Sequence, residues 1–257
     1  MKKILIYDGS FEGFLTAIYQ VFEEKAENVK IVKPKHYEPD MFAESEHIIS
    51  DPYKALRVWK SLLLKATKIG AYELYKAFLS EIKGVEMVLL RYVVHMYSTE
   101  TYSFDNYRNN DVLRVSQVAR MVSREKHRME AFIRFRLTTN GIYFATISPD
   151  FNVLPLIAPH FTDRYADQPW IIYDLKRDYG LYYDLHKTER IQLSAEADTE
   201  NALEAPIHLH QEEGIYQELW KTYFKNTQIG SRKNMKLHLK HIPKRYWRHL
   251  TEKQPEA

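Results

Sequence analysis

From Asp51 to about Leu137 apolar residues recur at helical spacing almost without a break, and after Asn140-Gly141 that spacing stops. Short β-branched and aromatic runs then take over at residues 142–147, 170–174, 180–185 and 190–193, bounded by Pro, Gly and Asp, and these read as strands. Ahead of the helical stretch, residues 3–7 read as a strand and Asp8-Gly9-Ser10 as a turn and cap. Residues 12–25 then form an amphipathic helix carrying Phe14, Ala17, Ile18, Val21 and Phe22, and residues 29–32 a second strand. Asp51 is a natural N-cap, and Pro52 suits the first helical position. Breaks in the helical stretch are expected near Gly70, near Gly84 and over the polar residues 102–110. A helix near 211–225 and two short ones near 232–241 and 244–250 close the chain, and the acid-rich residues 194–205 read as a solvated loop. The expected fold is α+β. A predominantly helical N-terminal and central part, residues 1–140, precedes a small, mostly antiparallel sheet and C-terminal helices in residues 141–257, with one shared core or two left open.

Composition narrows the function classes. Without cysteine there are no disulfides, thiolate zinc sites or protein-held iron–sulfur clusters. The apolar runs are too short to span a bilayer, and the N-terminal stretch lacks the pattern of a signal peptide, so the reading is a cytoplasmic protein with no membrane partner. A net charge of +3 hides a strong segregation. Residues 108–136 hold eight Lys or Arg against three acids, residues 219–250 hold nine and no acid, and the rest of the chain is acidic. Charge so divided is expected to present a basic face to a polyanion.

Two segments carry that charge in patterned form. Over residues 112–137, read as one helix, Val115, Val118, Ala119, Val122, Met129, Phe132 and Ile133 share one side. Arg120, Arg124, His127, Arg128 and Arg134 lie opposite, within about 120° of arc. An arginine row on a helix can follow phosphates, because guanidinium forks pair bidentately with phosphate oxygens. Glu125, Lys126 and Arg136 fall among the apolar residues, which implies a kink or buried, paired charges. In the C-terminal tract Arg232, Lys233, Lys236, Lys240, Lys244, Arg245 and Arg248 interleave with Tyr246 and Trp247, a pattern in which cations neutralise a backbone and Trp247 stacks or packs.

No complete catalytic motif is present. Asp8-Gly9-Ser10-Phe11-Glu12-Gly13 lacks the lysine and glycine spacing of a Walker loop, and no G-x-S-x-G occurs. His208 and His210 with Glu212 and Glu213 supply no third and fourth ligand at a known spacing, so neither a metal nor a cofactor is expected. If the chain is an enzyme, His127, Arg164, Asp174 and Arg177 are the candidates and should line one pocket.

Several stretches together resemble a bacterial family described as DNA metabolism proteins. They are Tyr7-Asp8-Gly9-Ser10-Phe11-Glu12-Gly13-Phe14, Glu125-Lys126-His127-Arg128-Met129-Glu130-Ala131-Phe132-Ile133-Arg134-Phe135, and Leu154-Pro155-Leu156-Ile157-Ala158-Pro159-His160-Phe161 with Arg164. Trp170-Ile171-Ile172-Tyr173-Asp174 with Arg177, and Ile242-Pro243-Lys244-Arg245-Tyr246-Trp247, complete the set. The resemblance implies a role in DNA repair or modification beside a radical-SAM DNA modification/repair protein, in whose neighbourhood the family's genes lie. Some members also carry a C-terminal uracil-DNA-glycosylase-like domain. This sequence has none, so glycosylase activity is not implied, and the family offers no established catalytic residues to carry over. The expectation is therefore an accessory DNA-binding protein that presents a DNA site to a radical-SAM partner. Two alternatives stay open: an enzyme acting on DNA or nucleotides from the His/Arg/Asp set, and a protein adaptor without DNA contact.

Overall fold

The chain opens with alternating strand and helix. The computed structural model describes residues 2–100, 102–193, 209–226 and 234–254. Strands β1 (Lys2–Ile6), β2 (Val29–Val32) and β3 (Ala43–His47) form a parallel sheet in the order β2-β1-β3. Helix α1 (Phe11–Glu23) is the crossover that a parallel pair requires. Its start is fixed locally: the Ser10 hydroxyl accepts from the Gly13 N–H at 2.9 Å. A Cβ on Gly13 would lie 2.3 Å from Asp8 Oδ1 and 2.6 Å from Ser50 Oγ, so a larger residue there would push apart the hydrogen-bonded Asp8 and Ser50 side chains. Strand β3 was not expected from the sequence. Its residues are Ala-Glu-Ser-Glu-His, and it pairs through its backbone while Glu46 meets Lys3 at 2.7 Å, so it shows no apolar alternation to read.

Helices α2 (Pro52–Lys65), α3 (Thr67–Phe78), α4 (Val85–Ser98) and α5 (Asn110–Phe132) come next. Asp51 caps α2, accepting from the N–H groups of Tyr53 and Lys54. The first break falls at Thr67, whose φ is +61°, and not at Gly70. Gly70 lies inside α3, where a Cβ would come within 2.7 Å of Phe104 Cβ, so this glycine serves close packing. Phe14, Ile18, Leu62, Leu74, Leu89 and Val93 are buried in this part, and the Tyr7 hydroxyl donates to buried Glu86 at 3.0 Å.

The chain divides into two compact units, Met1–Arg124 and Glu125–Ala257, the division falling within α5. In the second unit β4 (Arg136–Leu137), β5 (Tyr143–Ile147), β6 (Trp170–Asp174), β7 (Tyr179–Tyr183) and β8 (Thr188–Ile191) form a sheet in sequence order. It is antiparallel except for β5 and β6, which are parallel and joined through α6 (Leu154–Arg164). Helices α7 (Glu213–Asn226) and α8 (Met235–His241) lie beyond the sheet in sequence, then 3-10 turns at Lys244–His249 and Thr251–Lys253. Helix α5 ends at Phe132, short of the expected 137, and residues 136–137 become β4. The Arg134 guanidinium closes that helix end by donating to the carbonyls of Ala131 at 2.8 Å and Ile133 at 3.2 Å. No described helix is long and apolar enough to cross a membrane. The acid-rich loop at 194–205, His208, Arg232 and Lys233 lie outside the described residues.

Candidate functional site

The two faces of α5 separate as its periodicity demands. Val112, Val115, Val118, Ala119, Val122, Met129 and Ile133 are buried, while Arg120 and Arg124 are exposed. Arg120 donates to the Tyr107 hydroxyl at 3.2 Å and lies 5.7 Å from that ring's centroid. Arg124 meets no carboxylate among the described residues.

Of the charges that fell among apolar residues, Lys126 and Arg136 are half-buried, Lys126 paired with Glu130. Glu125 is buried, and its carboxylate accepts from the Tyr246 hydroxyl at 2.6 Å and from the Asp150 N–H at 2.9 Å. Arg128 stands 3.5 Å and Arg245 3.4 Å from the same carboxylate, and Arg245 also meets Asp150 at 2.8 Å. Burial, then the Glu125 hydrogen bond, pushes the Tyr246 phenol well above its ordinary range. Arg128 and Arg245 thus neutralise a carboxylate that joins α5 to the C-terminal tract.

Arg134 is likewise engaged. It meets Glu252 at 2.8 Å and lies 5.4 Å from the Trp220 ring centroid, while the Trp220 indole N–H donates to Glu252 at 2.9 Å. Burial of Glu252 works to raise its pKa, but the hydrogen bonds from Arg134 and Trp220 outweigh it and hold the carboxyl below its ordinary value. Trp247 is half-buried, and its indole N–H donates to the Ile242 carbonyl at 3.0 Å, which makes it a packing residue of the 3-10 turn. Lys236, Lys240, Lys244 and Arg248 are exposed, and the three lysines meet no carboxylate among the described residues.

The four enzyme candidates separate. Asp174 is fully buried and paired with Arg177 at 2.9 Å, and Arg177 also donates to the carbonyls of Pro149 and Asp150. Burial raises the Asp174 pKa against the opposing pull of Arg177. His127 is exposed, 3.8 Å from Glu130. Arg164 lines a cavity of about 840 Å³ whose walls include none of the other three. His210 is exposed, 4.0 Å from Glu212, and no cluster of three or more His, Cys, Asp or Glu able to hold a metal occurs among the described residues.

That cavity was not anticipated as such. Phe135, Phe161, Tyr165 and Trp170 form an aromatic wall with ring centroids 5.4 to 6.4 Å apart, and Glu130, His160 and Gln168 bring polar groups to the lining. Glu130 is paired with Lys126 and lies 4.0 Å from His160. Trp170 is 0% exposed, and its Nε1–H has no hydrogen-bond partner. A buried donor left unmade costs about 1–3 kcal/mol, so it calls for an explanation. The available signal was the density of aromatics at 161–170, but aromatic runs in a sheet protein read first as core.

A family model described as a domain of unknown function, DUF4130, matches residues 83–252. No curated protein matches the chain.

Proposed function

The chain belongs to the DUF4130 family of unknown function, and from its exposed charge we propose that it is an accessory DNA-binding protein. In this reading it holds the phosphate backbone and presents a DNA site to a radical-SAM partner in DNA repair or modification, the process and partner that the sequence resemblance implies. The observation that carries the DNA reading is the placement of Lys236, Lys240 and Lys244. They lie exposed and unneutralised by any described carboxylate, within a tract of 32 residues, 219–250, that contains no acid. Arg248, Arg124 and Arg120 add exposed guanidinium groups suited to bidentate phosphate contact. Arg128, Arg134, Arg245 and Trp247 act one step back, fixing the elements that carry the contacts.

Backbone contacts position a protein without reading bases, so binding should show little sequence preference. With roughly five phosphate contacts, log affinity should fall against log salt with a slope of about −4 on duplex DNA. The test is fluorescence anisotropy on a labelled oligonucleotide across a salt series. Replacing Lys236, Lys240 and Lys244 together by alanine should flatten the slope by about 2–3 while leaving thermal stability unchanged. A folded triple variant that binds like the wild type at every salt concentration would overturn the reading.

A further inference from the structure

We infer that the cavity walled by Phe135, Phe161, Tyr165 and Trp170 receives a nucleobase, turned out of the strand that the basic tract holds. This deepens the DNA-binding reading and rests on it. At about 840 Å³ the cavity exceeds what one or two waters fill and lies within the roughly 300–1,000 Å³ of small-molecule sites. All of its lining residues belong to the second unit.

The lining selects among ligand classes. An aliphatic chain would gain nothing from the polar groups of His160, Arg164 and Gln168. A free phosphate would meet Arg164 but also Glu130 and Glu212, and would gain nothing from the aromatic wall. A base satisfies both halves. Its faces pack on aromatic rings, which is sequence-tolerant because every base has a π-face. Its edge carries carbonyl and ring-nitrogen acceptors together with amino or imino donors, which is how extruded bases are held in pockets. Glu130 supplies an acceptor, and Gln168 one group of each kind. Arg134 and Trp220, also on the lining, are both bonded to Glu252, so that side of the cavity is held in place before any ligand arrives.

The probes are the four ordinary deoxynucleosides, measured by equilibrium dialysis against the full chain. A second readout is an oligonucleotide carrying 2-aminopurine, whose fluorescence rises when the base leaves the stack. At least one nucleoside should bind saturably in the millimolar range, and 2-aminopurine emission should rise on binding. Tyr165→Leu removes a part-exposed ring from the wall, and Gln168→Leu removes the amide from a half-buried position. With thermal stability preserved, either variant should weaken nucleoside binding at least fivefold and leave the salt slope on DNA unchanged. No saturable nucleoside binding and no 2-aminopurine response, with DNA still bound, would overturn this inference and leave the DNA-binding reading standing. Nucleoside binding without any salt-dependent DNA binding would overturn the DNA-binding reading and the turned-out base with it, leaving a site for a free nucleoside.

Discussion

Asp174 and Arg177 show how a single pair of residues divides between structure and function. Both are visible in the sequence as an acid and a base at the end of a strand, a place that suits either role. The structure settles their contacts: the carboxylate is fully buried, accepts from the Lys176 N–H and from Arg177, and Arg177 spans to the carbonyls of Pro149 and Asp150. Removing one partner of such a pair leaves an uncompensated charge, which typically costs about 3–5 kcal/mol. Arg177→Ala should therefore destabilise the protein by that order in chemical denaturation. Adding Asp174→Asn should restore part of the loss, because the stranded charge is then gone. Equal loss in the single and double variants would show that the guanidinium acts through its carbonyl contacts alone. Glu125 is equally legible as an anomaly on a helical wheel. What the wheel could not supply was Tyr246, 121 positions away, whose hydroxyl makes the buried carboxylate tolerable.

Among the elements, those that bury one face were legible and those held by backbone or by polar contacts were not. Helix α1 shows both signals at once, an apolar stripe and Ser10 as cap. Ser10→Ala removes the bond to the Gly13 N–H and a second one to Asp8 Oδ1 at 2.7 Å. The expected loss is about 1 kcal/mol of stability, read as a lower denaturant midpoint at unchanged slope. No change would mean that the α1 N-terminus is held by packing alone. Strand β3 left no periodic trace because its side chains are mostly polar. Apolar periodicity runs on through Ile133 and carries the expected end of α5 too far, whereas the helix stops where Arg134 takes its last carbonyls. Helix α6 carries Pro155 in its first turn and Pro159 inside it, so its sequence gives no helical reading, yet it delivers His160, Phe161 and Arg164 to the cavity. The charged tracts were legible as tracts. Which arginines are free to meet a ligand was not, since that depends on Glu125, Asp150 and Glu252 folding onto them.

At the scale of the whole molecule, a half-buried histidine at the basic C-terminal tract gives the chain a pH dependence that its net charge of +3 does not suggest. His249 sits in the second basic tract beside Arg248. It is half-buried, with Nδ1 3.3 Å from the Thr146 hydroxyl. Burial, then the positive charges of Arg248 and Arg136, lowers its pKa to about 4. A histidine whose folded pKa lies below its unfolded value of about 6.5 takes up its proton first in the unfolded state. Its contribution to stability is therefore complete above about pH 6.5 and declines as the pH falls toward 4, by roughly 3 kcal/mol at most. Glu252 acts in the same direction lower down, because its depressed pKa makes the Arg134 and Trp220 contacts fail as the carboxyl protonates below the ordinary range. Asp174, with its raised pKa, works the opposite way. A comparison that cancels the two carboxyls isolates the histidine. The stability of His249→Gln, subtracted from that of the wild type at each pH, should leave a difference that shrinks between pH 6.5 and 4 and is flat from 7 to 8. A difference independent of pH would show that the imidazole is protonated alike in the folded and unfolded chains, and that burial beside two arginines does not hold it neutral.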